Sequence, residues 1–138
     1  MLAPILVPIL LAYQAPAAAA ACTGADPAIT SVQPRLTSSG GDVNTYDIAV
    51  TVQNLGTMHQ ASNVLDSVAM YQNGEKVDQH GLQPLGPNRS QTVVFHVQRS
   101  TQAESGTTHL HFAVQFTQPR PPGNQDCNLS NGVASIDV

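Results

Sequence analysis

Apolar residues recur at every second position along most of this chain. From 44 to 53 the alternation is clean: Tyr46, Ile48, Val50 and Val52 share one side, Asp47, Thr51 and Gln53 the other. A period of two is the spacing of a β-strand with one buried and one wet face. The same rhythm returns over 90–99, with Val93, Phe95 and Val97 set against Thr92, His96 and Gln98. It returns again over 108–116, where Leu110, Phe112, Val114 and Phe116 oppose His109, His111 and Gln115. Residues 64–72 place Val68 and Met70 inward, and the last run places Ala134, Ile136 and Val138 on one face. No stretch holds apolar residues at helical spacing for three turns.

Turn signals separate these runs. Ser38-Ser39-Gly40-Gly41-Asp42 is a turn cluster, and Asn73-Gly74 is a strong hairpin signal that predicts a short return over Glu75–Gln79. Ala28–Leu36 carries Ile29 and Val32 but is interrupted by Pro34, which fits an edge strand or one that switches sheets. Leu82–Pro87 contains two prolines and reads as a covering loop. Pro119–Asn131 is a long polar loop. The sum is an all-β chain of about seven strands, an antiparallel β-sandwich. Asn54-Leu55-Gly56-Thr57 breaks the first alternation, and the expected reason is positive φ at Asn54 and Gly56 where the strand reverses.

The opening residues follow a different logic. Leu2–Leu11 is apolar and is followed by an Ala-rich stretch with small residues at Ala19 and Ala21. That is the pattern of a secretory signal peptide, although no Lys or Arg precedes the apolar run. The run is shorter than the roughly 20 residues a spanning helix needs. The expectation is therefore a signal over 1–21 and one domain over 22–138, exported to the periplasm or beyond.

Export changes the meaning of Cys22 and Cys127. An even cysteine count in an exported chain suggests a disulfide. This one would close a loop of about 100 residues, worth about 4 to 5 kcal/mol in the chain-entropy model. The alternative is lipidation of Cys22, whose preceding Ala19-Ala20-Ala21 is similar to a bacterial lipobox without its usual Leu. That would leave Cys127 as a lone thiol.

Charge narrows the function classes. Charged residues are only 10% of the 138, and the net charge is −4. Lys76 stands with four scattered arginines, Arg35, Arg89, Arg99 and Arg120, too few to bind nucleic acid or an anionic membrane surface. The two glutamates, Glu75 and Glu104, lie in a hairpin and a loop, and no nucleophile stands with a base, so the chain reads as non-enzymatic and without a cofactor.

Four stretches carry a family resemblance: YDIAVTVQNLGT, SVAMYQNGEKV, LGPNRSQTVVFHV and NQDCNLSNGVASIDV. In order and content they resemble the CARDB family, the cell adhesion related domain found in bacteria. The resemblance runs over 28–138 and implies an immunoglobulin-like sandwich serving as a binding or adhesion module for a protein or cell-surface polysaccharide. In such a topology the N-terminus and the loops at 54–63, 84–89 and 117–131 share one pole, where Cys22 and Cys127 would meet. Asn54, Gly56, Asn88, Asn124, Asp126, Asn128 and Asn131 are the candidate binding-loop residues. Asp26 with Asp126, Asn124, Asn128 and Asn131 could hold Ca²⁺ through oxygen, or simply stabilise turns. His109 and His111 share the outward face of one strand and are the candidate metal ligands, with His96 on the other sheet. The alternative function is thus a periplasmic metal-binding protein using surface histidines.

Overall fold

The computed structural model describes residues 23–61, 66–102, 107–116 and 127–138. Their alternating runs form β1 (Pro27–Gly40), β2 (Val43–Asn54), β3 (Asp66–Gln72), β4 (Glu75–Leu82), β5 (Ser90–Ser100), β6 (His109–Phe116) and β7 (Val133–Asp137). A 3-10 turn, η1 (Leu129–Asn131), precedes β7. The strands make two antiparallel sheets, ordered β1-β2-β5 and β4-β3-β6-β7. No helix among the described residues is long and apolar enough to cross a membrane.

The inward residues of the alternations meet between the sheets. Ile48, Val50 and Val52 of β2 and Val93, Phe95 and Val97 of β5 face Val68, Met70, Leu110 and Phe112 of β3 and β6. Phe95 and Phe112, one from each sheet, pack at 5.4 Å between ring centroids with tilted planes. Full burial of each such side chain contributes about 1.5 to 3 kcal/mol. Leu82 and Leu85 close the core at one end, so the proline-rich 83–87 loop does cover it.

Hairpin chemistry follows the sequence. Asn73 and Gly74 both take positive φ, 51° and 86°, the mirror-image turn whose twist matches the flanking strands. Two elements are longer than the turn signals imply. β1 continues through Ser38 and Ser39 to Gly40, leaving only Gly41-Asp42 as the turn, because a register shift at Leu36/Ser38 lets pairing with β2 resume. β4 continues past Gln79 to Leu82, since Leu82 still pairs with Asp66. Pro34 sits on an edge strand, where a missing N–H is tolerated.

Candidate functional site: a loop pole and a histidine row

The alternation of β2 does not stop at Val52. Asn54 is the next inward position, and it is as buried as the valines before it. A polar side chain there must satisfy itself internally, and Asn54 does so completely. Its Oδ1 accepts from the Asp26 N–H at 2.9 Å and the Gly56 N–H at 3.0 Å. Its Nδ2 donates to the Met58 and Leu85 carbonyls, each at 2.8 Å. Its own backbone bonds Arg89 and Asn88. Asn54 therefore ties together the segments at 24–26, 54–60 and 84–89.

Backbone bonds complete the assembly. The Leu55 N–H donates to Asp26, the Thr57 N–H to Gly24, and the Gln60 N–H to Leu85. The Gln60 amide also donates to the buried Asp66 carboxylate and accepts from the Leu85 N–H at 3.0 Å. A fourth segment joins where the Cys127 N–H donates to the Ala25 carbonyl at 2.9 Å. These are the described parts of the loops expected at one pole, and they do converge.

Positive φ is not what shapes the Asn54–Thr57 corner, contrary to expectation. The left-handed positions lie at Gly24, Gly41, Asn73, Gly74 and Asn88. Gly56 is needed for close approach instead: a β-carbon there would stand 2.0 Å from the Gly24 carbonyl oxygen and 2.8 Å from the Asp26 nitrogen. Asn54 and Gly56 are both buried and shape the corner from within. Asn88 is exposed, with φ of 62°, and serves the turn that ends in β5. Among the side chains the pole presents outward are two large apolar ones, Leu55 at 38% and Met58 at 53% exposure, beside the polar Thr57, His59, Asn88 and Arg89.

Asn128 acts locally, whereas Asn131 reaches back to the start of the described chain. Asn128 caps η1, its Oδ1 accepting from the Ser130 N–H and hydroxyl. Asn131 donates through Nδ2 to Asp26 Oδ2 at 3.0 Å. Asp26 Oδ1 and Asn131 Oδ1 are buried without a hydrogen-bond partner among the described residues. The signal expected over 1–21, Cys22, Asn124 and Asp126 lie outside the described residues.

The outer face of the four-stranded sheet carries the histidines. The β6–β7 register sets His109 opposite Asp137 and His111 opposite Ser135, and the β3–β6 register sets His111 opposite Tyr71. His109 Nδ1 meets Asp137 Oδ1 at 2.9 Å, and His111 Nδ1 meets Ser135 Oγ at 2.9 Å. An open cleft of ≈ 480 Å³ runs along Tyr71, Gly74, His109, His111 and Ala113. His96 is on β5, in the other sheet, where its Nδ1 meets Asp47 Oδ1 at 2.6 Å and Arg35 approaches the same carboxylate at 3.6 Å. Among the described residues no three His, Cys, Asp or Glu side chains gather as a metal cluster. Asp137 and Ser135 were missed by sequence reasoning. The alternation of 133–138 puts both outward, but only the strand register sets them beside the histidines.

Comparison with known proteins agrees with this architecture. The CARDB family profile matches residues 30–117. A crystal structure of a CARDB domain from Pyrococcus furiosus, in complex with di-metal ions, is 18% identical, with TM-score 0.60, covering 85% of this chain and 94% of that one. The solution structure of a CARDB domain from the same organism is 22% identical, with TM-score 0.57 and coverage of 85% and 95%. A domain of a putative cell surface protein from Methanosarcina acetivorans is 24% identical, with TM-score 0.57 and coverage of 84% and 91%. No curated protein matches the chain.

Proposed function

Since this chain belongs to the CARDB family of immunoglobulin-like β-sandwiches, we propose that it is an exported, non-catalytic module that binds a protein or cell-surface polysaccharide through its loop pole. The observation that carries this reading is Leu55 and Met58. They stand exposed on a corner whose backbone is fixed by Asn54, Gly24 and Asp26. An apolar pair on an immobilised loop loses little conformational entropy on binding, which is the economy of a preorganised contact surface. The polar frontage of Asn88 and Asn128, with Asn124 and Asp126 nearby in sequence, would supply hydrogen bonds at its rim.

Export is supported by the apolar and Ala-rich opening and by the cell-surface character of the M. acetivorans relative. A Cys22–Cys127 disulfide is supported by the bond from Cys127 to Ala25, three residues beyond Cys22, and by the lack of a free cysteine among the described residues. The bridge would lock the chain's start to the same pole.

The test is binding of fluorescently labelled protein to whole cells and to purified cell-surface polysaccharide. A Leu55→Glu/Met58→Glu double variant is expected to lower binding at least tenfold, while Val77→Glu, on β4, leaves it unchanged. Equal binding by both variants would remove the pole from the mechanism.

A further inference from the structure

We propose that His109 and His111 form a two-imidazole site for a divalent transition metal ion of the zinc, copper and nickel class. The site is separate from the loop pole. It lies on the outer sheet face towards the Asn73-Gly74 hairpin, where the Asn73 N–H bonds the His109 carbonyl.

Three observations build it. First, the two rings are two residues apart on one strand and share one face, so both stand over the same cleft. Second, each ring is held through Nδ1 by the residue directly across on β7, Asp137 for His109 and Ser135 for His111. That leaves Nε2 of both rings without a protein partner among the described residues. A histidine that gives one ring nitrogen to a carboxylate or hydroxyl and keeps the other free has the arrangement of a metal ligand with its outer support in place. The Asp137 carboxylate also makes its imidazole a better electron donor. Third, the flanks do not obstruct the cleft. Tyr71 lies beside His111 at 6.0 Å between ring centroids, and Gly74 presents no side chain. Lys76, the cation across from Tyr71, is turned to Gln115 Oε1 at 3.3 Å.

Imidazole nitrogen selects zinc, copper and nickel over calcium and magnesium, which need oxygen. Two protein ligands leave the remaining positions to water or to a donor brought by a partner.

The other sheet contains a control. His96 has a closer carboxylate, Asp47, yet has no second histidine beside it on β5. If a carboxylate-supported single imidazole were sufficient, His96 would bind as well as the pair.

The measurement is calorimetric titration of tag-free protein with ZnCl₂, with the thermal midpoint followed in parallel and circular dichroism confirming the fold of each variant. One ion per chain is expected, and saturation raises the midpoint. His109→Gln and His111→Gln each abolish saturable binding, His96→Gln leaves it unchanged, and Asp137→Asn weakens it by about 10- to 100-fold. Absence of saturable binding to the unaltered protein would overturn the proposal. So would affinity undiminished in the His109→Gln/His111→Gln double variant. These outcomes are independent of the cell-binding assay, which depends on Leu55 and Met58.

Discussion

Gly56 lies against Gly24 so closely that a β-carbon on the first would stand 2.0 Å from the carbonyl oxygen of the second. No real β-carbon tolerates that distance, and the obstacle is backbone, which cannot rotate aside. Gly56→Ala is therefore expected to cost about 2 to 3 kcal/mol, through displacement of the 24–26 segment. Gly40→Ala meets nothing within 4 Å and should change stability by no more than about 0.5 kcal/mol. Urea unfolding of the two variants checks the contrast. Equal midpoints would mean the two segments part without cost.

Asn54 makes a sharper case. Asn54→Ala leaves two N–H groups and two carbonyls without their side-chain partner in a buried place. Each such group costs about 1 to 3 kcal/mol, so a total loss of about 3 kcal/mol or more is expected. Asn54→Asp keeps the volume but turns an acceptor toward the Met58 and Leu85 carbonyls. It should be no better than the alanine variant. A destabilisation below about 1 kcal/mol in either would show that water replaces the amide.

The proposed Cys22–Cys127 disulfide predicts a mass. The chain purified from the cells that make it, analysed intact without reductant, should be lighter by two hydrogens than after reduction. Cys127→Ser should then cost about 2 to 5 kcal/mol. Added acyl mass with Cys127 open to alkylation would replace the bridge with a lipid anchor at Cys22, and would place the loop pole beside the membrane.

Two side chains of opposite character gauge the sandwich itself. Phe112→Ala removes the partner of Phe95 from a core position with no exposure and should cost about 3 to 5 kcal/mol. Arg35→Ala breaks the Arg35–Asp47 contact, but the Arg35 side chain is 78% exposed, so the change should stay within about 0.5 kcal/mol. Thermal unfolding of both variants separates the two scales.

Much of this was legible in the chain, for identifiable reasons. Val50, Phe95 and Phe112 announced their faces because a half-buried antiparallel strand must alternate. The Asn73-Gly74 turn was legible because few dipeptides accept two positive φ values in succession. Asn54 was misread because polarity looked like the end of a pattern. Its parity with Tyr46, Ile48, Val50 and Val52 was the better signal, and it marked a buried hub. Gly56 was misread for a related reason: a glycine serves conformation or closeness, and only the position of Gly24 decides between them. Asp137 and Ser135 were invisible as partners of the histidines because cross-strand register depends on the length and path of the chain between β6 and β7, which residue identity does not encode.

The pole is wired through main-chain atoms and the buried amides of Asn54 and Gln60, so its frame does not depend on the outward side chains at Leu55, Met58 and Arg89. That separation permits diversification. A library randomised at those three positions, with Asn54, Gly56 and Gly24 retained, should yield folded members at high frequency, each presenting a different surface on the same frame. The domain would then behave as a small display scaffold, its recognition rewritten without renegotiating its stability.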